Sequence, residues 1–87
     1  MKYRIVKIKA NVTGIPREEV RKGFRHFLDL LEDSCEIAVE SAGRDAIECA
    51  WQVFANKGTI SDNEIVGYRL EQDTGRFWDT LNYSEPS

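Results

Sequence analysis

Histidine occurs once in this chain, cysteine and proline twice each, and no apolar run approaches the length of a membrane span. Each shortage removes a class of function. His26, Cys35 and Cys49 show neither C-x-x-C nor H-x-x-x-H spacing, so the sequence offers no zinc site. His26 reads as a solvated helix residue one turn from Lys22 and near Asp29. Two cysteines are too few for the disulfide framework of a small secreted domain. Both read as reduced, buried, small apolar groups, inert as thiols and facing the core rather than His26. The six glycines are scattered at turns and form no phosphate-cradling loop. Carboxylate pairs such as Asp29/Asp33 and Glu36/Glu40 fall on solvent-facing positions, where nothing shifts them toward acid–base work. These absences argue against an enzyme, a metal and a cofactor. The opening "MKYRIVKIKANV" alternates lysine with apolar residues and lacks the continuous apolar stretch of a signal peptide, so a cytoplasmic protein without membrane contact is expected.

What is present is ordinary for a folded domain: 41% hydrophobic and 31% charged residues, too apolar for a disordered chain. One compact domain over residues 1–83 is expected, with 84–87, "SEPS", as a frayed tail. The net charge of −3 conceals an asymmetry. Residues 1–27 hold eight Lys/Arg against Glu18 and Glu19, whereas 28–87 hold four basic and thirteen acidic residues. Two readings are open: separate faces for separate partners, or a basic strand lying beside an acidic one.

Residues 2–10, "KYRIVKIKA", read as a strand whose alternation changes phase. Tyr3 and Ile5 share a face with Lys7 and Lys9, and Val6, Ile8, Ala10 and Val12 share the other. Either a bulge sits near Ile5–Val6, or opposite faces are covered at the strand's two ends. Pro16 and the acidic Glu18 and Glu19 then open a helix, with Val20, Phe24, Phe27, Leu28 and Leu31 as its apolar stripe and an end near Asp33–Ser34. In "CEIAVES" (35–41), Cys35, Ile37 and Val39 alternate with Glu36, Ala38 and Glu40, giving a strand with an acidic outer face. Ser41 is the expected N-cap of a second helix, and Gly58 its left-handed end. After a polar loop, "IVGYRL" (65–70) and "FWDTLNY" (77–83) form a hairpin around Asp-Thr-Gly. The order β-α-β-α-β-β predicts an α/β domain, a two-layer α+β sandwich. A right-handed crossover would make the first two strands parallel, in a mixed four-stranded sheet with both helices on one face. The bare face would carry Lys7, Lys9, Glu36 and Glu40.

The second helix carries more apolar surface than a sheet alone requires. Ala46, Ile47, Ala50, Trp51 and Phe54 make its core stripe, and Cys49, Val53 and Ala55 widen it. The extra width packs against the first helix or meets a homodimer or other partner, with Trp51, Phe77 or Trp78 as aromatic anchors. An acidic surface of Glu36, Glu40, Asp45 and Glu48 adds a second means of recognising a protein. The alternative is nucleic-acid binding, in which Lys7 and Lys9 on the strand and Arg17, Arg21 and Arg25 at i, i+4, i+8 on the helix neutralise phosphates. The acidic balance and the lack of an aromatic stacking platform weigh against it.

The run "VESAGRDAIECAWQVF" followed by "IVGYRLEQDTGRFWD" is similar in layout to several small phage-encoded inhibitors, including anti-CRISPR proteins. The likeness covers roughly residues 35–79 and carries over no functional residue. It implies a stoichiometric inhibitor of a nucleic-acid-handling protein, whose basic groove the acidic surface would occupy.

Overall fold

The computed structural model describes residues 2–87. Strand β1 (Tyr3–Asn11) is followed by two short helices, α1 (Arg17–Lys22) and α2 (Phe24–Leu30), where a single helix is predicted. The division falls at Gly23, whose ψ of 19° leaves helical geometry. A Cβ there would lie 2.9 Å from the Phe27 ring, so the close fit of Phe27 requires glycine at the kink. Strand β2 (Glu32–Ser41), helix α3 (Arg44–Phe54), a two-residue β3 (Thr59–Ile60), β4 (Glu64–Asp73) and β5 (Trp78–Tyr83) complete the chain. β3 lies within the segment expected to be a polar loop.

The sheet has five strands in the order β2-β1-β4-β3, with β5 also paired to β4, and every strand pair is antiparallel. An α+β fold is therefore present, but the expected parallel crossover and mixed four-stranded sheet are corrected. α1 and α2 are only about 9 and 10 Å long at 1.5 Å per residue, and they bend at Gly23. They return the chain to the end of β1 it has just left, where Ala10 faces Glu32. A parallel return would have to span the strand's full length.

The helices do not share a face either. Register places Val6, Ile8 and Ala10 on one side of the sheet with Arg69, Gly67 and Ile65. There Val6, Ile8, Ala10 and Ile65 pack with Val20, Phe24 and Leu28 of α1 and α2. Tyr3 and Ile5 lie on the other side with Leu70, packed under Ile47 and Trp51 of α3. The phase change in β1 thus records a strand covered on opposite faces at its two ends. A bulge is present as well, in the β1–β2 pairing: Ile5 faces Val39 and Val6 faces Ile37, leaving Ala38 as the extra residue. Ile5, Ile8, Leu28, Ile47 and Ile65 are at most 1% exposed, and burying each such side chain is worth about 1.5–3 kcal/mol.

The bulge also splits the expected face of β2. Cys35 and Ile37 lie opposite Ile8 and Val6, whereas Val39 lies opposite Ile5 on the α3 side. Both cysteines are free and exposed, not buried. The hairpin around Asp73–Thr74–Gly75 is present: the Asp73 carboxylate accepts the Gly75 N–H at 2.7 Å, and Gly75 adopts φ 90°.

The C-terminal residues are tied in rather than frayed. Ser84 is fully buried; its N–H donates to the Tyr68 carbonyl, and its hydroxyl accepts the Tyr68 N–H at 2.8 Å. This fills the gap along β4 between β3 and β5. Glu85 N–H bonds the Ala55 carbonyl, and Gly58 N–H bonds the Glu85 carbonyl. Gly58 is therefore a close-approach glycine instead of a left-handed cap, since a Cβ would lie 2.7 Å from the Glu85 carbonyl oxygen. The N-cap position of α3 is Gly43, and Ser41 contributes by accepting the Gly43 N–H at 3.0 Å.

Candidate functional site

Each helix covers only part of its sheet face, and charge occupies the rest. Beyond the reach of α2, the strands present Arg4, Glu71, Arg69 and Trp78 on one surface. The carboxylate of Glu71, with its side chain 4% exposed, accepts from Arg4 at 2.6 Å and from Arg69 at 3.1 Å. Arg69 also donates to Asp29 of α2 at 2.9 Å and to Glu32 of β2 at 3.1 Å. Burial works against its charge, but the Asp29 hydrogen bond and the surrounding carboxylates win, and its pKa is raised. The Tyr83 hydroxyl donates to Asp29 at 2.6 Å, and desolvation, then this bond, raises the phenol pKa. Arg4 lies 3.9 Å above the Trp78 ring, so Trp78 already has a cationic partner within the chain. No buried side-chain N or O among the described residues lacks a hydrogen-bond partner. The network therefore holds the sheet's uncovered end together and pins α2 and β2 to β4.

Some of the basic N-terminal charge is met by acidic residues of the later part of the chain. Arg4 lies opposite Glu40 and Lys7 opposite Glu36 across β1 and β2, and Arg25 is paired with Glu85. The five residues of the nucleic-acid alternative are not brought together. Lys7 and Lys9 lie on the α3 side of the sheet, alongside Tyr68 and Val66. Arg17 and Arg21 belong to α1 and Arg25 to α2, which pack on the other side, and the kink at Gly23 breaks the row. Arg17 also donates to the Ile60 carbonyl at 3.2 Å.

The protein-recognition residues divide similarly. Trp51 is 5% exposed and belongs to the core, which corrects its expected role as an outward anchor. Glu48 is held by Arg44 at 2.9 Å. Asp45 is exposed in the first turn of α3. Glu36 and Glu40 are exposed on β2 but on opposite faces, because the Ala38 bulge separates them, so the expected flat surface of Lys7, Lys9, Glu36 and Glu40 does not form. The widened margin of α3 cannot meet the first helix across the sheet. Val53 is 54% exposed, and Phe77, at the hairpin, is 61% exposed.

Sequence reasoning missed the position of β2 itself. It is an edge strand of ten residues, all exposed except Ser34, Val39 and Ser41, which are partly covered. β1 pairs one edge, and no described strand pairs the other. The near-absence of large apolar side chains from "EDSCEIAVES" was the available signal. Among the described residues no group of three or more His, Cys, Asp or Glu is placed to hold a metal ion, and no helix is long and apolar enough to cross a membrane. No family model matches this chain, and neither a curated protein nor a solved structure does so.

Proposed function

We propose that this chain is a protein-binding module that regulates or stoichiometrically inhibits a nucleic-acid-handling protein, acting in the cytoplasm by recognition rather than catalysis. The supporting observation is the unequal fate of its charges. The basic residues are divided between two faces, and several are engaged by carboxylates within the fold. The acidic strand β2, with Glu36 and Glu40, lies exposed at the sheet's edge, and Asp45 is exposed on α3. An acidic rim of this kind is complementary to a basic groove that handles nucleic acid, and it speeds encounter through long-range attraction.

The test is capture of partners on the tagged protein from source-cell lysate, with and without nuclease, followed by mass spectrometry. A protein retained at one-to-one stoichiometry after nuclease, and lost from a Glu36→Lys/Glu40→Lys variant, is the expected result. Captured proteins that vanish with nuclease, leaving RNA or DNA in the untreated sample, would transfer the function to Lys7, Lys9 and the arginines.

A further inference from the structure

We infer that the outer edge of β2 accepts an added β-strand, and that its occupant is an extended, lysine- or arginine-rich segment of another protein. This deepens the reading above by naming the mode and chemistry of recognition.

The first observation is backbone. A strand paired on one side presents a row of unsatisfied N–H and C=O groups on the other, a ready template for an incoming chain. β1 has partners on both edges. The outer edge of β4 is occupied in turn by β3, Ser84 and β5. β2 is left as the longest open edge among the described strands, ten residues against six in β5 and two in β3. No helix contact buries its middle, and Cys35, Glu36, Ile37 and Ala38 are all exposed.

The second observation selects the occupant. β2 carries Glu32, Asp33, Glu36 and Glu40 and no basic residue. A second copy pairing edge to edge would set carboxylates against carboxylates, and like charges across a ladder repel. The strand that β2 does accept, β1, contains Arg4, Lys7 and Lys9 interleaved with β-branched residues, with Arg4 facing Glu40 and Lys7 facing Glu36. On the inner edge, strand register therefore sets basic residues across from two of these carboxylates. These carboxylates are exposed, so an incoming basic strand on the outer edge would meet complementary charge. Ile37, 53% exposed beside Cys35 on the α2 side, offers an apolar contact between the charges.

The test uses the intact protein and a synthetic peptide with the sequence of residues 2–11, "KYRIVKIKAN", as the basic strand. Backbone amide exchange is read residue by residue. The expected result is new protection confined to amides of residues 32–41, with β1 still protected. N-methylating the peptide backbone removes its ladder hydrogen bonds while keeping its charge, and should weaken binding by about tenfold or more. Replacing its Lys and Arg by Glu should abolish binding. Equal binding of the methylated peptide would reduce the effect to charge attraction and overturn strand addition. Protection elsewhere, or none on β2, would overturn it also. A captured one-to-one partner that the peptide does not displace would leave the module reading standing while this mode fails.

Discussion

Arg4 and Glu71 form a salt bridge at 2.6 Å on the part of the sheet that no helix covers. With Arg69 on its other oxygen, Glu71 takes the place that an apolar side chain and a covering helix would otherwise fill. A buried carboxylate between two guanidiniums is costly to desolvate, and its value appears when one member is removed. Glu71→Gln should destabilise the fold by on the order of 3 kcal/mol, because two partly buried cations lose their shared counter-ion. Replacing Arg4 and Glu71 together by Met and Leu should cost clearly less than the single change. Urea unfolding of the three proteins measures both quantities, and equal costs would show that the bridge is not coupled.

Tyr83 supplies a pH prediction. Its folded-state pKa stands above the ordinary 10.0, through desolvation first and the Asp29 hydrogen bond second. The fold thus prefers the neutral phenol. That contribution is fully present below the unfolded tyrosine pKa and is lost as pH rises through the higher folded value. An alkaline absorbance titration should show one phenol ionising late, and Tyr83→Phe should remove that component. Asp29→Asn should move it to lower pH, since the carboxylate's hydrogen bond and charge both raise it.

The docked C-terminus should be worth several hydrogen bonds. Deleting residues 84–87 removes the bonds of Ser84 to Tyr68, of Glu85 to Ala55 and Gly58, and of Ser87 to Gly58. At about 0.5–1.5 kcal/mol net for each of these five bonds, the loss is roughly 2.5–7.5 kcal/mol. Gly58→Ala drives a methyl against the Glu85 carbonyl and the Phe24 ring and should cost about 1–3 kcal/mol. The two changes should be less than additive, because deletion removes one of the clashing groups. Thermal unfolding of both single variants and the combination decides this.

Cys35 is exposed yet less acidic than a free thiol. Partial desolvation raises its pKa above 9.0, and the nearby Glu32 carboxylate raises it further. In a Cys49→Ser background, iodoacetamide should modify Cys35 in the folded protein, with a rate midpoint above pH 9.0. Glu32→Gln should lower that midpoint. A midpoint below 9.0 would show that the neighbouring Arg69 and Arg4 dominate the local field.

Local order in this fold is written in local pattern. The alternation of "KYRIVKIKA", the stripe Val20–Phe24–Leu28, the apolar face of Ile47 and Trp51, and Asp-Thr-Gly between two β-branched runs specify the main strands, the helical segments and the hairpin. These features depend on neighbours within a few residues, where side-chain period and turn chemistry act directly. The phase change at Ile5–Val6 allowed either a bulge or burial on opposite faces, and the structure has both.

Which face each helix covers, and in which direction β2 runs, depended on groups far apart in the chain. The helical segment bends at Gly23, and β2 finds its antiparallel partner in β1, with Tyr3 opposite Ser41. Arg69 draws Asp29 and Glu32 together from forty and thirty-seven residues away, while Ser84 completes the edge of β4 beside Tyr68. The alternation of residues 35–41 marked an acidic strand, although β2 begins at Glu32, where the helix was expected to continue to Asp33–Ser34. Its place at the open edge of the sheet was set by tertiary packing, because an edge is defined by which strands find partners, and partners are chosen across the whole chain.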